Sequence, residues 1–177
     1  MLDRPRVGIS GCLLGDEVRY DGTHRRDEAV MAALGLHVEW VPVCPEVEIG
    51  MGTPREPIQL VARRDLVPSA DDHVRLMGVN SGRDWTEWMQ VWSRKRAGAL
   101  MSLNLSGYVF KSRSPSCGIH RVPVHGGEAE RTWRGLFAGA LLDALPDLPV
   151  EDEEGLADPR VREGFLQRIL RYHARMA

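Results

Sequence analysis

The 177-residue sequence has only three cysteines, Cys12, Cys44 and Cys117, and no Cys-x-x-Cys pair. An odd count leaves one thiol unpaired in any scheme, and in a reducing compartment three thiols are not a disulfide framework, so a disulfide-stapled scaffold is excluded. An excess of either charge is also missing. The formal net charge is -2, which asks for neither a nucleic-acid polymer nor a membrane surface as partner. The longest apolar stretch, Leu136 to Leu145, is interrupted by Asp143 and is far too short to span a bilayer. Asp3 and Pro5 stand where a signal peptide would need its apolar region, so a cytoplasmic protein is expected. The spacing of Gly8, Gly11 and Gly15 is not G-x-G-x-x-G, which removes a dinucleotide-binding reading. Internal repeats and low-complexity tracts are absent.

What is present is a moderately apolar chain, 43% hydrophobic, long enough for one sizeable core; a single domain over residues 1–177 is expected. Three short β-type runs each lead to a cysteine: Arg6–Ser10 before Gly11-Cys12, Val38–Val43 before Cys44-Pro45-Glu46, and Tyr108–Phe110 before a polar loop ending at Cys117-Gly118. If these strands are parallel neighbours, their carboxyl ends share the edge where open α/β sheets keep their ligands, and the three thiols meet in one crevice. The fold expected is α/β, a mostly parallel Rossmann-like sheet flanked by helices, with a short β excursion after the second strand.

Along the chain, a helix is expected from about Arg25 to Leu34, capped by Thr23 or Asp21 and stopped by Gly35. Residues 48–57 hold two glycines and two prolines and read as irregular, carrying Arg55 over the sheet edge. Ile58 to Ala62 and His73 to Met77 read as paired short strands around an Asp/Ser/Pro-rich connection. The longest helix opens at Ser81-Gly82-Arg83-Asp84, with Trp85, Trp88, Met89, Trp92, Leu100 and Leu103 as one apolar stripe, read as core packing. Ile119 to Gly127 reads as a polar loop, Trp133 to Leu145 as a buried helix, Leu148 to Val150 as a last strand, and Glu151–Glu154 as a solvated acidic turn. Asp158-Pro159 opens the final helix, with Val161, Phe165 and Ile169 inward.

Three thiolates on one metal centre leave an open coordination position, the mark of a reactive site rather than a closed structural one. Zinc with water or His120 as fourth ligand, and a cubane iron-sulfur cluster with one bare iron, both satisfy the cysteine count; spacing alone does not choose between them.

The segments Ser10–Gly15, Val18–Gly22, Cys44-Pro45-Glu46, Thr53–Pro57 and Lys111–Gly118 resemble the motif set of the thiouracil desulfurase (desulfidase) family, in order and over nearly the whole chain. The resemblance implies a [4Fe-4S] cluster held by Cys12, Cys44 and Cys117. It also implies a hydrolytic, non-redox reaction in which the open iron binds the sulfur of a thiolated pyrimidine, water adds at the thiocarbonyl carbon and sulfide departs. Glu46 matches the family's general acid and base, and Ser114 is the second catalytic candidate, with Ser10, Ser112 and Ser116 as rivals. Ser10, Arg19, Arg55, Lys111, Arg113 and Ser116 are the substrate-binding candidates, and the four cations among them favour a nucleotide such as thiouridine monophosphate over the free base. Two other classes stay open at this point: a three-cysteine zinc or iron-sulfur binding or sensor module without turnover, and a sulfurtransferase in which one cysteine forms a persulfide.

Overall fold

Two stretches of the chain bury both of their faces and form the middle of a sheet. β1 (Arg6–Ser10) is buried from Val7 onward and β5 (Leu105–Phe110) throughout, as befits strands covered by helices on either side. The structure, a computed structural model, describes residues 4–63, 74–127 and 130–176. β1 pairs in parallel with β2 (Glu39–Val43) on one side and with β5 on the other, and β5 pairs in parallel with β8 (Val150–Asp152). The resulting order, β2-β1-β5-β8, reverses direction at β1 and so opens a crevice beyond the carboxyl ends of β1 and β5.

Helices cover both faces. On one, Val30 and Leu34 of α2 (Glu28–Leu34) and Phe165 and Ile169 of α6 (Pro159–Met176) pack on Val7, Ile9 and Val109. On the other, Ala97 and Leu100 of α4 (Thr86–Ser102) and Phe137 and Leu141 of α5 (Leu136–Ala144) pack on Tyr108 and Phe110. Gly8 belongs to this second face, where the ring of Tyr108 fills the space a Cβ would take. Among the described residues no helix is long and apolar enough to cross a membrane.

The β excursion is larger than the sequence suggests. β3 (Ile58–Ala62) and β4 (Val74–Gly78) pair antiparallel, as expected, but they join β6 (Val122–His125) and β7 (Arg131–Trp133) in a second four-stranded sheet, ordered β4-β3-β6-β7. The segment read as a polar loop after Cys117 thus holds a strand, since Val122 and Val124 point into a core with Leu60 and Leu76 while Pro123 and His125 face out. The connection between β3 and β4, and His73, lie outside the described residues at 64–73.

Other boundaries shift for local reasons. α2 starts at Glu28 because Asp27, not Thr23 or Asp21, accepts the Val30 N–H at 3.0 Å; Asp21 instead accepts from Thr23 in a turn of its own. Trp133 ends β7 rather than opening α5, which begins after Gly135. In α4 the inward face runs through Trp85, Met89, Ala97 and Leu100, so Trp88, about 100° around the helix from Met89, is 61% exposed and outside the expected stripe. The last strand runs to Asp152, and the acidic run after it is not a solvated turn: Asp152 is buried and Glu153 faces inward.

Candidate active site

Each cysteine follows a strand of the parallel sheet directly. Cys12 lies in α1 (Gly11–Leu14), a single helical turn after β1, and Cys44 is the N-cap of α3 (Pro45–Glu48), another single turn after β2. Pro45 at the first helical position starts α3, its fixed φ being already helical, which carries Glu46 into the first turn.

Cys117 sits in the turn after β5. Ser114 Oγ accepts the N–H of Cys117 at 3.1 Å and of Ser116 at 3.3 Å, and Ser114 O accepts the N–H of Gly118 at 2.8 Å. The carbonyls of this turn face the start of α5 and accept its otherwise unpaired amides: Gly118 O from Gly135, Pro115 O from Leu136 and Ser116 O from Phe137. Gly135 is required there, because the backbone of Ser116 and Cys117 occupies the place of a Cβ.

The three thiols line one cavity of about 350 Å³. Cys12 and Cys117 are 9% and 4% exposed. Burial pushes the Cys12 thiol up to about 11, against the pull of Lys111 and Arg19. Burial and then the Glu46 carboxylate push Cys44 up to about 12, and burial raises Cys117 well above the ordinary range. Cys44 Sγ has two acceptors within reach of its single proton, Glu46 Oε2 at 3.5 Å and Val18 O at 3.8 Å.

These shifts set a pH dependence for the cluster-free chain. A thiol whose folded pKa lies above its ordinary 9.0 contributes stability that is fully present below pH 9 and is lost as pH rises through 11 to 12. The urea midpoint is therefore expected to stay level to about pH 9 and then fall, and to fall less in Cys12→Ala and Cys44→Ala. An equal fall in the substituted chains would contradict this assignment.

The remaining sequence candidates separate by position. Glu46, 8% exposed, lines the cavity, with Arg55 Nη2 at 3.9 Å from its Oε2; Arg55 is held in turn by Gly52 O at 2.9 Å. Ser10 lines it as well, accepting the Lys111 N–H at 2.9 Å, and its hydroxyl pulls the Cys117 thiol down against burial. Ser114, Arg19, Lys111 and Arg113 also reach the wall. Each cation there has a carboxylate beside it: Asp21 for Arg19, Glu153 for Lys111 and Glu154 for Arg113. Ser116 is not on the lining; it is fully buried, its Oγ unpartnered among the described residues. His120 is off it too, 56% exposed and 3.9 Å from Asp152, so it is no fourth ligand.

Sequence reasoning missed Glu153, whereas Gly135 reads from the sequence as a close-approach glycine, though toward the sheet rather than toward the Cys117 turn it meets. The signal for Glu153 was its place just past a strand whose carboxyl end lies at the same sheet edge as the cysteines.

Among the described residues no three His, Cys, Asp or Glu side chains form a group that could hold a metal ion. The three cysteines line one cavity without forming such a group. Zinc draws its ligands to about 2.3 Å from one centre, whereas a cubane takes one thiolate per iron and needs them spread, so the cavity suits a cluster better than an ion.

The fold has a solved counterpart in a [4Fe-4S]-dependent thiouracil desulfidase, TudS, with a TM-score of 0.67 over 91% of this chain and 97% of that one at 24% identity. The uncharacterized protein YbbK of Bacillus subtilis (strain 168) is 32% identical over 112 residues, covering 62% of this chain and 71% of its own length. The model of 2-thiouracil desulfurase matches residues 7–153, from the first strand through all three cysteines to Glu153. On that match the chain belongs to the 2-thiouracil desulfurase family.

Proposed function

We propose that the protein hydrolyses the C=S bond of a thiolated pyrimidine, consuming one water and giving the oxo pyrimidine and hydrogen sulfide, with Cys12, Cys44 and Cys117 holding a [4Fe-4S] cluster. The observation that carries this reading is the meeting of three buried thiols and a buried carboxylate, Glu46, on one cavity wall. The solved counterpart of the fold is a thiouracil desulfidase that depends on such a cluster, which supports the same reading. When bound, a cluster with one iron free of protein ligands supplies a soft Lewis acid suited to the sulfur of a thiocarbonyl.

The chain's own groups do the rest. Glu46 takes a proton from the attacking water and returns one to the departing sulfur, a task that needs a carboxylate within hydrogen-bond reach of that water and that sulfur. Arg55 fixes its orientation. Ser114, with both local N–H groups on its oxygen, keeps its own proton to donate into the cavity. The thiol protons must leave before ligation, since only the thiolate binds.

The substrate is a thiolated uracil, as base or nucleotide. Arg19, Arg55 and Lys111 are matched by neighbouring carboxylates, so a phosphate would have to compete for them. Arg113 is 70% exposed with a half-exposed partner, which makes it the cation best able to take a phosphate. Anaerobically prepared protein incubated with thiouracil and, separately, with thiouridine monophosphate is expected to release sulfide in step with the oxo product. Binding of either without sulfide release would overturn the reading in favour of a sensor module.

A further inference from the structure

Glu153, which follows β8, is 15% exposed at its side chain and is not a solvated acid. Asp152, 4% exposed, accepts the Gly155 N–H at 2.8 Å and so pins the turn that carries it. The Glu153 carboxylate receives three donors from two consecutive residues at the end of β5: the Lys111 ammonium, the Ser112 N–H at 2.7 Å and the Ser112 hydroxyl at 2.6 Å. Burial alone would raise its pKa, but the Lys111 and Ser112 bonds more than offset that, and the carboxyl lies below its ordinary value.

These two residues link the turns that carry two of the cysteines. Lys111 N donates to Ser10 Oγ at 2.9 Å, Ser10 being the last residue of β1 before the turn of Cys12. Ser112 begins the turn that ends at Cys117. Cys44 stands apart, its polar neighbours being Val18 O, Glu46, the Val47 backbone and Arg55.

We infer that Glu153 is a positioning residue, whose carboxylate clamps the end of β5 against the Cys12 turn and so fixes the placement of Cys12 and Cys117 while leaving Cys44 to its own anchors. The inference deepens the reading in which these thiols share one cluster, and it makes Lys111 part of the frame rather than a substrate ligand. A carboxylate behind the ligands acts as outer-shell partners of metal sites do, by holding the groups that the ligands lean on.

The test uses the full chain in cluster-free form, with site-resolved alkylation by iodoacetamide followed by mass spectrometry. In Glu153→Ala, Cys12 and Cys117 are expected to react about tenfold faster than in the parent while Cys44 changes by less than about twofold, because only the clamped turns open. Glu153→Gln, which keeps an acceptor oxygen for the Ser112 N–H, is expected to fall between the two. After anaerobic reconstitution, Glu153→Ala is expected to lose iron to a chelator roughly 10- to 100-fold faster than the parent. Equal acceleration at all three cysteines would reveal general loosening and overturn the inference, as would no acceleration at any. Should the parent chain take up no iron, the desulfidase reading fails while the alkylation pattern still decides the clamp.

Discussion

Cys12→Ala, Cys44→Ala and Cys117→Ala are each expected to reduce sulfide release to below about one-hundredth of the parent and to abolish the iron-sulfur absorption, because a cubane held by three thiolates has none to spare. Among the described residues the cavity wall offers no substitute. His120 lies away from it, and the carboxylates that line it, Glu46 and Glu56, are occupied by Arg55 and by Asn80 with Ser81. The three substitutions are expected to act alike although the residues come from three strands, Cys12 after β1, Cys44 after β2 and Cys117 after β5. Parallel circular dichroism separates lost chemistry from lost fold. If one substitution alone abolished activity while the other two spared it, the chemistry would belong to a persulfide-forming cysteine instead.

Glu46→Gln is expected to lower kcat by about 10²- to 10⁴-fold while leaving iron content and absorption as in the parent, the range set by removing a positioned general acid and base. The isosteric amide keeps the shape of the first turn of α3, and Cys44 retains its place as N-cap. A proportionate loss of iron would instead make Glu46 a support for Cys44, to which its Oε2 lies at 3.5 Å. KM is expected to change little, since Glu46 is assigned to proton movement rather than to holding the ring. A rise in KM with kcat preserved would move it to substrate binding.

The strand-then-cysteine pattern was legible because it is local. Val7–Ser10 and Tyr108–Phe110 are apolar on both faces, which only a covered parallel strand tolerates, and the residue types that follow stop a strand abruptly. The convergence of the cysteines then follows from the sheet order, with β1 between β2 and β5. What was not legible depends on contacts between distant segments. Lys111 and Glu153 are 42 positions apart, so nothing in either neighbourhood announced the pair, and an acidic run beside a turn reads as solvated unless the strand before it is known to end at the site. The same holds for the cations: a motif places Arg55 near the cavity but not the carboxylate beside it. Ser116 shows the opposite error, a motif residue turned under the site, where its carbonyl serves α5. The β6–β7 half of the second sheet escaped notice because Val122–His125 is short and carries a proline, and its alternation of buried and exposed positions emerges only beside β3.

The most direct measurement is the iron, acid-labile sulfide and zinc content of protein isolated and kept without oxygen. About four irons and four sulfides per chain are expected for a cubane on Cys12, Cys44 and Cys117. One zinc per chain with no sulfide would contradict the account.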